Sequence, residues 1–564
     1  MQGRALLRAL PVARPLVAIL AVLLGLWIAC YRFNTLGGAL GGFDNDHFVH
    51  FALAKQVEAG GQPLRDFLDS GLQGARPSLT YELSALAQRV FGDNLRSEAW
   101  LTVTAVAVAG AVTFVAATSV APWPIALGAG LFSALLSPKL YGYGKVLVLA
   151  VACLLVAQYA RAPGWRRLAI MSAWTAVAFL FRHDYAVYCG IGFAIAIGAS
   201  GPWPAWNRAG RVAACGLLAL LLLGPSLYVV QQSGGSGGGL VAYLRNGLEM
   251  GRRDAQRTTL RWPVPVVSSG DSFDAILSRE ENTQAWLYYL FLALAVLGPL
   301  DAAARLYHGG REEAPAVTTL AVGAMTVVLS MTFLRGSLEA RFGDMGPPIA
   351  VIGASLVTAI IAGEGRRTLA RVASGAFAAL VVLVTAACVW SLQSVQSEMR
   401  RAGLTSSPLA VLKQGSRVSA ELSGLPAALR TSDMPSPSGR TARYLHECTG
   451  PRDRVLIVSY APEVGGLSER LFAGGRATFL PGFYEDERYS RFLLERLSQE
   501  SVPIALAEEE PYYAAYPLLP AYLRSVYEDR GTLEIDGGKR LRVLTRRGAG
   551  AGRARPDGLP CFPG

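Results

Sequence analysis

The stretch "GGFDNDHFVHFALAKQVEAGG", Gly41 to Gly61, gathers two aspartates and two histidines in an otherwise apolar chain. A carboxylate in such a cluster can act as a general base, taking the proton of a hydroxyl held within hydrogen-bond reach. Asp44 or Asn45 can instead cap the helix that the following residues predict. Asp44 and Asp46 thus open the cluster as two carboxylates, either of which can serve a site or the helix end. His47 and His50 stand at i and i+3, on one helix face, where with either aspartate they could ligate a divalent ion. Their spacing matches no strong metal signature, so no essential metal is expected and a divalent cation stays an open alternative.

A second polar group interrupts the apolar runs at "FRHDY", where Arg182, His183 and Asp184 follow one another. Asp184 reads either as another site carboxylate or as the partner that neutralises Arg182 at a tight turn. Lys139 and Lys145 in "SPKLYGYGK", and Arg335 and Arg341 in "RGSLEARFGDMGPP", stand near the ends of apolar runs. A cation there can receive charge developing on a phosphate. It can equally snorkel to the headgroups and anchor its helix end.

The elements that hold these groups follow from composition. With 564 residues, 52 % hydrophobic and 17 % charged, and a mean hydropathy of +0.33, the chain reads as a polytopic membrane protein. Pro15 to Phe33 is long enough to cross the hydrocarbon layer as a helix. Further apolar runs at 99–120, 122–137, 143–160, 168–181, 185–200, 212–230, 284–300, 316–334, 347–363 and 369–392 predict about eleven spans in all. Arginines at 4, 8 and 14 hold the amino terminus in the cytoplasm. Alternate threading then leaves the basic loops "RAPGWRR", "NRAGR" and "EGRRTLAR" inside as well. The acidic cluster, "FRHDY" and everything after about residue 393 fall on the outer face. A net charge of +12 reflects these loops and does not suggest nucleic acid.

The membrane domain is expected over 1–392, with a first outer loop at 34–98 and a second at 231–283. In the first loop, residues after Asp44 predict a helix lying along the membrane, with Phe48, Phe51, Ala52 and Val57 as its apolar stripe and Gly60–Gly61 as its stop. "PSLTYELSALAQRVFG" predicts another. In the second loop, "QQSGGSGGG" ahead of a basic segment suits a hinged lid or a tolerated insertion. A polar linker at 393–440 leads to an extracytoplasmic α/β domain at 441–547 and a disordered tail at 548–564. In that domain "RVLIVSY" and "VPIALAE" predict buried strands, "DERYSRFLLERLSQE" and "LLPAYLRSVYED" helices, and "TLEI" with "RLRVLTRR" a hairpin across "DGGK". Cys448 and Cys561 are the exported cysteines, open to a disulfide or to two free thiols.

A first span followed by the acidic "FDND", a helix and "GGQPLRDF" resembles the GT-C membrane glycosyltransferases, which include protein O-mannosyltransferases and bacterial enzymes that glycosylate lipid A or cell-wall glycans. The resemblance implies an inverting transfer of a sugar from a polyprenyl-phosphate donor to a glycan, lipid or protein acceptor outside the plasma (inner) membrane. It implies an outer-loop aspartate, Asp44 or Asp46, as base, with Asp44 favoured because it lies nearer the end of the first span and Asp46 as second carboxylate or cap. His47, His50, Lys139, Arg182, His183, Asp184, Arg335 and Arg341 are then the candidate substrate-binding residues. The rival classes are a transporter or flippase of a lipid-linked or anionic substrate, whose charges would line a pathway at mid-depth, and an inactive scaffold of the same architecture.

Overall fold

The computed structural model describes the chain apart from residues 1–13, 37–42, 44, 64, 69–78, 137–138, 202, 234–238, 242, 246–247, 249–261, 268–271, 273–278, 308–312, 335–337, 363–381, 383–384, 387–388, 391, 404–406, 428–435, 550–552, 556–557 and 563–564. Its helices run α1 Arg14–Asn34, α2 Asn45–Glu58, α3 Leu79–Phe91, α4 Leu95–Ala117, α5 Trp123–Leu135, α6 Tyr143–Arg161, α7 Trp165–Phe181, α8 His183–Ala199 and α9 Ala205–Ser233. They continue as α10 Glu280–Tyr307, α11 Glu313–Phe333, α12 Glu339–Ala362, α13 Gln393–Arg401, α14 Pro408–Gly424 and α15 Pro437–Cys448. The remaining elements are β1 Arg454–Val458, α16 Pro462–Leu467, β2 Leu471–Phe472, α17 Glu487–Gln499, β3 Ile504–Ala507, α18 Glu510–Tyr513, α19 Leu519–Val526, β4 Tyr527–Ile535 and β5 Lys539–Arg546. The pair β6 Arg553–Ala554 and β7 Pro560–Cys561 closes the chain.

Two compact units divide these elements. The first comprises Met1–Thr35, Thr102–Gly224 and Thr258–Gly415; the second Leu36–Leu101, Pro225–Arg257 and Ser416–Gly564.

The first unit is helical. Seven of the described helices, those at Arg14–Asn34, Leu95–Ala117, Leu140–Arg161, Ala205–Gln232, Glu280–Tyr307, Ala314–Thr332 and Arg341–Ala362, are long and apolar enough to cross a membrane. α5, at 13 residues, and α7 and α8, at 17 each, are shorter. They occupy the expected runs at 122–137, 168–181 and 185–200, and the run at 369–392 lies largely outside the described residues. α11 packs against α10, α8, α12 and α6, and α12 also lies against α5. Small residues permit that closeness: a Cβ on Gly298 of α10 would stand 2.5 Å from Ile352 of α12.

The second unit is built on a five-stranded sheet of order β2-β1-β3-β5-β4. β1 is parallel to β2 and β3, whereas β5 is antiparallel to β3 and β4. Its central strands are apolar on both faces because helices cover both. Leu456, Val458, Ala505 and Ala507 pack with Leu493 and Leu497 of α17 and Leu519 and Leu523 of α19. Val455, Ile457, Ile504 and Leu506 pack with Leu445 of α15 and Val464 of α16. The predicted strands, the helix at 487–499 and the hairpin across "DGGK" all form. The second predicted helix ends at Val526, and Tyr527 already pairs with Arg546 as strand.

Three expectations are corrected. The segment 393–440 is no plain linker, since α13 and α14 form within it. The tail is not wholly disordered: Gly- and Arg-rich composition misled because β6 pairs with β7, Leu559 is buried, and Cys561 is disulfide-bonded to Cys448. α2 carries no single apolar stripe. His47, Phe48, Val49, His50 and Phe51 are all buried, because α2 packs inside the second unit against α3, α16 and β2.

Candidate functional site

In the second unit, α2 fixes Asp46 in its first turn, where a carboxylate complements the helix dipole. α2 is held by apolar contact. Phe48 and Phe51 press on Gly466 of α16, where a Cβ would stand 3.3 Å from each ring. Burying each phenyl contributes about 1.5–3 kcal/mol, against roughly 0–1 kcal/mol for an ion pair such as that of Lys55 with the exposed Asp93. Packing therefore determines where Asp46 stands. Beyond the end of β1, Tyr460 reaches it and donates a hydrogen bond of 2.5 Å to Asp46 Oδ1.

The "LRDF" segment is anchored to the same sheet. Asp66 accepts from the Gln62 amide (2.9 Å) and from Arg65 (2.6 Å), and pairs with Arg496 of α17 at 3.4 Å. Burial raises the Asp66 pKa, but those bonds outweigh it and hold the carboxyl below its usual range. Phe67 is fully buried edge-on to Phe472, and the Leu68 amide donates to the Gly475 carbonyl at 2.8 Å. Gly475 has φ +66°, and a Cβ there would stand 2.8 Å from the Asp66 carbonyl, so only glycine fits.

His47 and His50 face inward. The His47 ring is edge-on to Phe43 at 4.9 Å and the His50 ring edge-on to Tyr81 at 5.7 Å. Around them lies a buried polar set absent from the sequence reading: Glu98 accepts from Ser84, Gln88 donates to Ser84 at 3.4 Å, and His47 acts electrostatically on Glu98. A glutamate opening an otherwise apolar span was the available signal. Among the described residues no group of three His, Cys, Asp or Glu side chains is gathered to hold a metal ion, so no step is assigned to one.

The first unit holds a separate charged cluster. Arg182, in extended conformation between α7 and α8, bonds both Asp184 oxygens through Nε, at 2.8 and 3.0 Å. The neutralising pair of the two readings is thus made. Asp344 of α12, buried, accepts from Tyr185 Oη at 3.3 Å and pairs with Lys145 Nζ at 3.4 Å. Lys145 and Lys139 lie over the same Tyr141 ring, 5.6 and 5.3 Å from its centroid. Asp344 was missed, although an acid at the start of the apolar "MGPPIAVIGASL" marks itself as an expensive intramembrane charge. The His183 ring lies 4.4 Å from that of Phe179, tilted by 43°. Arg341 is half-buried in the first turn of α12. Asp44 and Arg335 lie outside the described residues.

The fold and these two polar centres define a multi-pass membrane protein with an apolar helical unit and an α/β unit. No protein-family model matches the chain, and no curated protein matches it in sequence. Among solved structures it is similar to ArnT from Cupriavidus metallidurans bound to undecaprenyl phosphate, at 13 % identity and TM-score 0.49, over 95 % of this chain and 99 % of that one. It is also similar to the Archaeoglobus fulgidus oligosaccharyltransferase tethered to an acceptor peptide, at 13 % identity and TM-score 0.44, over 94 % and 74 % of the two chains. A third similar structure is the archaeal oligosaccharyltransferase AglB from the same organism with an inhibitory peptide and a dolichol-phosphate, at 12 % identity and TM-score 0.41, over 93 % and 74 %.

Proposed function

We propose that the chain is a membrane glycosyltransferase that moves a sugar from a polyprenyl-phosphate donor to an extracytoplasmic glycan, lipid or protein acceptor. The observation that carries this reading is Asp46, a half-buried carboxylate on the first helix after the first span, held in place by Tyr460. A carboxylate so positioned takes the proton of the acceptor hydroxyl as its oxygen attacks the anomeric carbon. The new C–O bond forms as the bond to phosphate breaks, which inverts the anomeric centre. The leaving lipid phosphate carries negative charge and needs cationic donors. Within the first unit Lys139, Lys145 and Arg182 are cations of the kind a lipid phosphate requires, and Asp344 pairs with Lys145. Asp44, two positions before Asp46, remains the alternative base.

With the amino terminus in the cytoplasm of a plasma-membrane protein, the α/β unit is extracytoplasmic, consistent with a Cys448–Cys561 disulfide. The test is a transfer assay on the purified, reconstituted chain with a panel of polyprenyl-phosphate sugars. Transfer from one donor is expected. Absence of transfer from every donor, together with movement of a lipid-linked substrate across liposomes, would replace the enzyme by a transporter.

A further inference from the structure

Within the first unit, the chain beyond the apolar helices is anchored to the end of the first one. Arg32 pairs with Glu398 of α13 at 2.5 Å, both side chains largely buried. Asn34 Nδ2 donates to the Val411 carbonyl at 2.9 Å and the Ala402 carbonyl at 3.4 Å, and Gln414 Nε2 donates to the Asn34 carbonyl at 3.5 Å. Gly415 lies so close that a Cβ would stand 2.9 Å from Asn34 Oδ1. With Tyr31 Oη, which donates to Glu398 at 3.4 Å, these anchors fall on the last turn of α1. A helix of 21 residues rises about 31 Å at 1.5 Å per residue, close to the thickness of the hydrocarbon layer. The start of α14 is therefore held at the edge of that layer, level with the headgroups.

The exposed face of α14 fits that depth. Leu409 and Leu412 are 70 % and 67 % exposed, and Lys413 and Arg417 continue the same face at helical spacing. Val418 and Leu422, on the opposite face, are buried. Arg400, on α13, is exposed as well. Two leucines left in water would forfeit the burial available a few ångströms away, and basic groups beside them suit anionic phosphates. We propose that α14 is an interfacial helix that rests on the membrane, with Leu409 and Leu412 at the acyl boundary and Lys413, Arg417 and Arg400 on anionic phospholipid headgroups. The occupant of this face is the lipid surface, and the inference does not depend on the reaction proposed above.

The experiment places a nitroxide at Leu412→Cys in the full chain, in a Cys30→Ser, Cys388→Ser background, reconstituted in discs of phosphatidylcholine and phosphatidylglycerol. Collisions with oxygen and with a water-soluble nickel complex report depth. The label is expected to be open to oxygen and shielded from nickel, and to move outward when Lys413→Glu and Arg400→Glu are added or phosphatidylglycerol is omitted. A label as open to nickel as one at Glu495→Cys, an exposed position on α17, overturns the proposal. So does a label closed to both reagents, which indicates a protein partner. A depth indifferent to charge and lipid overturns the assignment to anionic headgroups.

Discussion

Tyr460 donates a 2.5 Å hydrogen bond to Asp46 across 414 positions of sequence. The bond joins the acidic cluster after the first span to the loop that follows the first strand of the sheet. In Tyr460→Phe, the carboxylate keeps its helix and its packing but loses the donor. One hydrogen bond to a charged group is worth about 1.5–3 kcal/mol, so kcat should fall roughly tenfold to a hundredfold, with the KM for the lipid donor unchanged. Steady-state kinetics on the reconstituted variant separate the two parameters. A rise in donor KM at constant kcat would place Tyr460 in donor binding instead.

Asp344→Asn removes the carboxylate that pairs with Lys145 and leaves Tyr185 a weaker acceptor. Removing one member of a buried charge pair costs about 2–5 kcal/mol, and Lys145→Met removes the cation itself. Both changes are expected to raise the donor KM by at least about tenfold, as measured by transfer rate against donor concentration. Unchanged donor KM in both variants would take this cluster out of phosphate binding.

The α/β unit carries two buried carboxyls, Glu463 and Glu500, whose pKa values burial pushes up against the pull of their hydrogen-bond partners and, for Glu500, of Arg454 and Arg496. A raised folded-state pKa means that the native chain binds more protons than the unfolded one between the two values. Stability from these groups is therefore full below the unfolded pKa and is lost as pH rises through the folded one. Glu463→Gln should flatten the fall in thermal stability above the ordinary carboxylate range. Asp66, held low by its partners, contributes in the opposite sense, and its share is lost as pH falls. Unfolding scans from about pH 2 to pH 8 cover both windows.

Much of the architecture is legible in sequence because apolar run length and alternation report burial directly. The strands at Arg454–Val458 and Ile504–Ala507, the hairpin and the helix at Glu487–Gln499 all form as read. Long-range partnership is what the sequence hides. Phe48 and Phe51 look like a stripe for the membrane but pack on Gly466, more than four hundred positions away, and periodicity cannot distinguish one apolar partner from another. The same holds for Asp344 and Glu98: each charge is visible, but what neutralises it is fixed only by folding. The tail shows the converse, since a composition suited to disorder is overridden by the β6–β7 pair, the burial of Leu559 and the Cys448–Cys561 link.

That link, Cys448–Cys561, closes a sequence separation of 113 residues. Removing a native disulfide from a small domain costs about 2–5 kcal/mol. Cys561→Ser should expose the last residues to carboxypeptidase and lower the denaturation midpoint of the α/β unit, read by limited proteolysis with and without reductant. Equal resistance in both states would mean that β6, β7 and Leu559 hold the tail without it.

The proton-accepting role of the acidic cluster is tested by transfer from the active polyprenyl-phosphate sugar, comparing the parent chain with Asp44→Asn and Asp46→Asn at matched protein level in the membrane. General-base catalysis is worth about 10²–10⁴-fold. Loss of at least a hundredfold in kcat is expected in one of the two, Asp46→Asn being the variant that removes the carboxylate Tyr460 holds. Full turnover in both variants would contradict the assignment of the base to this cluster.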